Sequence, residues 1–434
     1  MADSQEKVID AAVMGNVMTT VPAWFSARGA EVSSAPGRKK FGPNETIHVG
    51  VIGPGGSKGV YKQGLNDTIL VAAHPGTKVV AACDVDRTHL EEAGKQFGPD
   101  CKLFTDFREM LQMKDLDAVV IGAPDHWHTY IAIAAMKAGK DIYCEKPLTL
   151  TIDEGKKMVK VWRETGVVFQ VGSQQRSDPR FRMACELVRN GRIGKIKKIE
   201  ARLARSPNGG PFKAETAPSD LDWDMWLGQA PMTEYVKERT HVNFRWWLEY
   251  SGGMMTDLGA HHNDIAQWAM GTDRSGPITT EATGWPANIC HTCYNTFVQF
   301  EAVHTYANGA KLHSMSEGEN GILFEGEEGN IFVKRFEIRA SDSRILNDPL
   351  PSSAERLYVS DDHTGDWLNC IRSRKQPICD AEIGHRSVTV CHLGNISLRL
   401  GGRKLNWDPV KEEFVKDTEA NALLTREQRK PWRI

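Results

Sequence analysis

From residue 46 onward, apolar runs of strand length alternate with stretches of helical spacing, and each run is closed by glycine, proline or a charged residue. Ile47-His48-Val49-Gly50-Val51-Ile52 is the first run, and Gly53-Pro54-Gly55-Gly56-Ser57-Lys58-Gly59 follows it directly. Residues 78–84 form a second run ending on Asp84, residues 117–124 a third ending on Pro124, and residues 141–147 a fourth that carries Lys146 at its end. Asp125-His126-Trp127-His128 opens a helix over residues 129–138, which Gly139 stops. A further run at 167–171 leads into Gln174, Gln175 and Arg176. Strands alternating with helices predict a doubly wound parallel sheet, whose ligands lie at the carboxyl ends of the strands. Gly53, Asp84, Pro124 and Lys146 all fall on that edge.

Past residue 190 the pattern changes. Gly194-Lys195-Ile196-Lys197-Lys198-Ile199-Glu200-Ala201-Arg202 starts a series of alternating strands, continued by Thr296-Phe297-Val298-Gln299-Phe300-Glu301 and Gly329-Asn330-Ile331-Phe332-Val333. At 434 residues the chain exceeds what one hydrophobic core usually serves, so two domains are expected. The division reads as an N-terminal arm over 1–45, a dinucleotide-binding domain over 46–170 and a substrate and assembly domain over 171–434.

Composition narrows the partners. A net charge of -2 gives no excess positive field, which excludes nucleic acid and anionic membrane as expected partners. No apolar stretch is long enough to span a bilayer. The nine cysteines are odd in number and scattered, which reads as reduced thiols in a core and hence a reducing, cytoplasmic compartment. Cys290-His291-Thr292-Cys293 is the only C-x-x-C, and it has neither the second pair of a zinc site nor the strand-to-helix context of a redox site. Residues 8–25 are mildly apolar and faintly signal-like, but residues 1–7 carry two acids and one lysine and no Arg-Arg pair follows. The segment is therefore an arm packing on another subunit, or a degenerate signal of an exported, periplasmic protein.

The chemistry-bearing residues form two groups. Gly53, Gly55 and Gly56 let a backbone turn approach a pyrophosphate, with the positive end of the next helix aimed at it. The glycine pattern is irregular, since Lys58 stands where the third glycine is expected and Gly59 follows it. The spacing from Gly53 to Asp84 is also long, which places an insertion around residues 66–75. Asp84 suits ribose hydroxyls and would repel a 2′-phosphate, favouring NAD; its plainer reading is a strand-end turn residue. The second group lies in Gly252-Gly253-Met254-Met255-Thr256-Asp257-Leu258-Gly259-Ala260-His261. At i, i+4 on one helix, Asp257 and His261 share a face and are expected to hydrogen-bond. The plainer reading is a helix start with a packed histidine. His262 shares its face with Leu258, Ile265 and Ala269, as a core histidine does. Neighbouring histidines on a helix diverge by about 100°, so no metal is assigned to Asp257, His261, His262 and Asp264.

Gly-rich turn, Ala-Pro-Asp-His-Trp-His, Glu145-Lys146-Pro147-Leu148 and Asp257-x-x-x-His261, in that order, resemble the glucose–fructose oxidoreductase, inositol dehydrogenase and rhizopine-catabolism (Gfo/Idh/MocA) family. The resemblance covers residues 46–434. It implies an α/β Rossmann domain plus an α+β domain with a large, mostly antiparallel open sheet. It also implies NAD, which could be tightly bound, and pairing through that sheet into homodimers or homotetramers. By position, Lys146 matches the family lysine at substrate and nicotinamide, and Asp257 and His261 match the acid and histidine beside the reacting hydroxyl. Pro124, His126, His128 and Glu145 fall with the cofactor residues, and Gln174 and Arg176 fall where family members line the substrate cleft. The stretch Asp222-Trp223-Asp224-Met225-Trp226-Leu227-Gly228 and residues 403–432 resemble one branch of the family.

Arg245, Trp246 and Tyr250 suit a sugar pocket, because rings stack on pyranose faces and guanidinium donates to hydroxyls; interfaces use the same residues. The expected reaction is NAD-dependent transfer of a hydride from a secondary hydroxyl of a sugar or glycoside, at C3 or C4 of a pyranoside. His261 is the general base, Asp257 its orienting acid, and Lys146 the cation that steadies the alkoxide. One alternative is an NAD-dependent glycosidase working by oxidation, elimination and reduction. A second is a non-catalytic nucleotide-binding regulator.

Overall fold

The computed structural model describes residues 16–22, 25, 41–42, 45–59, 61–286 and 290–434. Its strands, in chain order, begin with β1 (Asn16–Met18) and β2 (Ile47–Ile52), then β3 (Thr77–Cys83), β4 (Lys102–Phe104), β5 (Ala118–Ile121), β6 (Asp141–Cys144) and β7 (Phe169–Val171). β2 to β7 form one sheet in the order β4-β3-β2-β5-β6-β7, parallel throughout. β5, β6 and β7 are buried along their whole length, as sheets covered on both faces require. Their near-continuous apolar runs follow from that burial. Caps set the intervening helices: Asp86 accepts from the Thr88 and His89 amides to open the helix Arg87–Phe97, and Thr151 opens Ile152–Thr165, which ends on left-handed Gly166.

The remaining strands are β8 (Ile196–Arg202), β9 (Thr279–Pro286), β10 (Phe297–Thr305), β11 (Lys311–Met315), β12 (Gly321–Gly326), β13 (Asn330–Lys334), β14 (Glu337–Ala340), β15 (Leu405–Asp408) and β16 (Glu413–Phe414). They make a second sheet in the order β1-β14-β13-β12-β8-β11-β10-β9-β15-β16. Among the described residues only its β8–β11 pair is parallel. Against it lie the helices Gly259–Met270 and Ala381–Arg399, the latter capped by Asp380 and buried along most of its length. Asn16–Met18 pairs with Ile338–Ala340 of the same chain, so that part of the N-terminal segment is an edge strand here; most of residues 1–45 lies outside the described residues.

Two expectations need correction. The thiols are not all reduced: Cys290 and Cys293 are joined in a disulfide, while the other seven cysteines are free and buried. The extra length after Gly53 is not at residues 66–75 either. The helix Gln63–Ala72 is regular, and the insertion sits in the loop before it. Among the described residues no helix is long and apolar enough to cross a membrane.

Candidate active site

Three glycines bring three backbones together at the end of β2. Gly53 has φ 73°, and a Cβ there would stand 2.5 Å from the Ala123 amide nitrogen. A Cβ on Gly64 would stand 2.4 Å from the Gly53 carbonyl oxygen, and one on Gly122 2.5 Å from the Gly64 Cα. Gly64, not Gly59, is therefore the glycine that lets the first helix lie close to the sheet. A glycine inside a helix was the available signal, since it costs about 1 kcal/mol against alanine without such a reason.

A cavity starts at this turn and runs along the strand ends to Lys146. Gly53, Gly55, Asp84, Pro124, His128, Glu145, Lys146 and Arg245 line it, and Leu221, Met225, Trp226 and Phe244 of the second half close it over. Asp84 is partly buried and accepts from the amides of Gly55 at 3.4 Å and Asp86 at 2.9 Å, and burial raises its pKa. His128 holds two carbonyls, with Nδ1 2.8 Å from that of Pro147 and Nε2 2.7 Å from that of Ala123, which ties the ends of β5 and β6 together. Asp86, His89 and His241 bring potential ligand atoms within 4.8 Å of one another, but the Lys58 ammonium lies 2.9 Å from both Asp86 oxygens.

At the far end, Lys146 Nζ donates to Asp257 Oδ1 at 2.8 Å and to the Asp257 carbonyl at 3.1 Å. Arg245 Nε donates to the same Oδ1 at 3.2 Å. These cations hold the Asp257 carboxyl well below the usual carboxylate range even though burial acts the other way. The expected Asp257–His261 couple is not made. Gly253, at φ 69°, turns the chain into a short helix, Met254–Asp257, and a second helix, Gly259–Met270, starts after Leu258. Asp257 turns to Lys146 and Arg245 instead. His261 is buried; among the described residues its Nδ1 has no hydrogen-bond partner, and its Nε2 lies 3.4 Å from Arg335 Nη2. Burial, then the charges of Lys146 and Arg335, push its pKa well down. His262 is buried as expected, and burial lowers it to about 4.

Several residues assigned to the site are elsewhere. His126 is fully buried, with Nε2 3.0 Å from the Trp226 carbonyl, because the helix starts at Asp125 and turns that ring into the domain junction. Gly56 faces the side chains of Glu92 and His89. Arg176 is 1% exposed and pairs with Asp264 at 2.7 Å and Asp273 at 3.2 Å, an ion cluster away from the cavity. Tyr250 is wholly buried and takes a hydrogen bond from Arg239 at 3.1 Å, while Trp246 packs in the same aromatic core. Gln174 braces the site from behind, donating to Glu145 Oε1 at 2.8 Å. Buried Asp67 was missed: burial, then the charge of Glu145, raise its pKa well above the usual carboxylate range. Arg335 was missed too, because only the folded hairpin between β13 and β14 brings it to His261.

Known proteins share both parts of this fold. Residues 47–173 match the oxidoreductase family GFO_IDH_MocA, NAD-binding Rossmann fold. Residues 209–434 match the family's C-terminal alpha/beta domain. The chain is 26% identical over 326 residues to scyllo-inositol 2-dehydrogenase (NAD(+)) of Bacillus subtilis, which covers 71% of this chain and 83% of that protein. It is 32% identical over 154 residues to inositol 2-dehydrogenase of Rubrobacter xylanophilus, covering 35% of this chain and 42% of that protein. Among solved structures, levoglucosan dehydrogenase in complex with NADH and levoglucosan is similar with a TM-score of 0.61 at 19% identity, covering 83% of this chain and 99% of that one. The WlbA dehydrogenase of Bordetella pertussis, in complex with NADH and UDP-GlcNAcA, gives 0.63 at 20% identity, covering 84% and 99%.

Proposed function

The chain belongs to the Gfo/Idh/MocA oxidoreductase family, and on that premise we propose that it oxidises a secondary hydroxyl of a sugar or glycoside, at C3 or C4 of a pyranoside. The observation that carries the reading is the contact of Lys146 with Asp257, 2.8 Å apart though far apart in sequence, at the end of a cavity that begins at the glycine turn. The residues present fit NAD: Gly53 and Gly55 leave room for a pyrophosphate, and Asp84 lies where ribose hydroxyls would donate to it. When bound, NAD supplies the acceptor for the hydride.

The chain's own residues handle the proton and the charge. His261, neutral at ordinary pH, takes the proton from the reacting hydroxyl. Lys146 sits beside the oxygen on which negative charge develops. Asp257 fixes the ammonium in place and shares its charge with Arg245, so Asp257 positions Lys146 rather than His261. The same reading extends to assembly, with two or four copies pairing through the ten-stranded sheet.

Mixing NAD-loaded protein with a panel of glycosides tests this reading. Absorbance at the reduced nicotinamide band should appear with at least one sugar, and about 10²- to 10³-fold more slowly in Lys146→Ala. Aglycone release without net reduction of NAD would instead favour a redox-neutral cleavage, and no change with any sugar would overturn the assignment.

A further inference from the structure

The two-residue turn between β13 and β14 carries an exposed arginine that no carboxylate among the described residues engages. Lys334 and Glu337 face each other across that hairpin, so Arg335 and Phe336 form its tip. Phe336 stands there at φ 69°, a left-handed position that bulky residues seldom take. The neighbouring cations all have carboxylate partners. Lys334 pairs with Glu319 at 2.6 Å and Glu337 at 3.1 Å, Arg339 with Glu337 at 2.9 Å and also with Glu319, and Arg180 with Asp178 at 2.7 Å. Arg335 has none among the described residues. Its polar contact is the Nε2 of His261, which must accept from the guanidinium and so keeps its lone pair engaged. A neutral ring nitrogen is a poor mate for a guanidinium, whose planar fork matches a carboxylate or phosphate.

We infer that Arg335 selects sugars bearing an anionic oxygen group, carboxylate or phosphate, and that this group draws the guanidinium off His261. The inference rests on the oxidoreductase reading and names its substrate class. Once Arg335 turns to the anion, Nε2 is free to take the hydroxyl proton. The charged and titratable groups around the imidazole are Lys146, Arg335, His262 and Asp257. Loss of one cation from that set makes the ring a stronger base, so an anionic substrate prepares its own general base.

The test compares NAD-loaded wild type with Arg335→Gln on three arms: hexuronic acids and their methyl glycosides, hexose phosphates, and matched neutral methyl glycosides. One anionic arm should exceed the neutral arm by about 5-fold in kcat/KM, the scale of an exposed ion pair. Arg335→Gln should erase that ratio by lowering the anionic arm and, because it also frees Nε2 of His261, by raising the neutral arm. The favoured acid should raise the Tm of wild type and not that of the variant, and the acid limb of kcat/KM on neutral sugar should move to higher pH in the variant. Equal use of neutral and anionic sugars by wild type, or a preference that survives Arg335→Gln, overturns the inference and leaves the oxidoreductase reading standing. If no arm is turned over and none raises Tm, the oxidoreductase reading falls and the inference with it.

Discussion

At the scale of single residues, the site depends on a lysine whose position is set by one carboxylate. Lys146→Ala should lower kcat by about 10²- to 10³-fold, the range for losing one preorganised charge stabiliser, with the dissociation constant for NAD changed far less. Rapid-mixing absorbance and direct binding separate the two. His261 makes a second prediction through pH. Only the neutral ring accepts a proton, and the folded protein holds it neutral well below the ordinary 6.5. Wild-type kcat/KM should therefore stay level as pH falls through 6.5 and drop only further down; an acid limb at or above 6.5 would contradict the assignment. Lys146 was legible in sequence because it closes an apolar strand beside proline. Arg176 and Tyr250 were misplaced for a physical reason: an arginine in a cleft and one in a buried ion pair look alike until a partner such as Asp264 is brought up from another helix.

At the scale of elements, the strands of the first sheet were readable because burial on both faces leaves unbroken apolar runs ended by glycine, aspartate or proline. The junctions were not. One helix through Asp257 and His261 was the natural reading of their spacing, yet the chain breaks at Leu258 so that Asp257 reaches Lys146. The packing of the first helix is open to test. Gly64→Ala puts a methyl group 2.4 Å from the Gly53 oxygen. It should cost about 1–3 kcal/mol of stability and weaken NAD binding by tenfold or more. Gly42→Ala, with nothing within 4 Å of its added carbon, should do neither; denaturant melts and NAD titrations read both. Arg176→Gln leaves Asp264 buried without its main partner. It should cost about 3–5 kcal/mol while kcat, measured well below the lowered Tm, changes little; a large loss of kcat at unchanged stability would return Arg176 to the substrate cleft.

At the scale of the whole molecule, buried histidines couple the fold to acidity. Burial lowers His126 and His304 to about 3 and His241, His262, His363 and His392 to about 4, and His261 is pushed down as well. Unfolded, each binds a proton near pH 6.5, so the unfolded chain takes up protons that the folded chain refuses, and stability falls as pH drops below 6.5. Buried carboxyls such as Asp67 and Asp125, whose pKa is raised by burial, act in the opposite sense but are fewer. Calorimetric Tm should therefore be lower at pH 5.5 than at pH 7.5. Both domains meet at the cavity that the mechanism needs, so locating the bound cofactor is decisive. A crystal structure with NADH and a bound sugar should place the nicotinamide ring beside Lys146 and His261, with its C4 about 3–4 Å from the sugar carbon that those side chains flank. A nicotinamide bound away from both residues, or a dinucleotide absent from the cavity between Gly53 and Lys146, would contradict it.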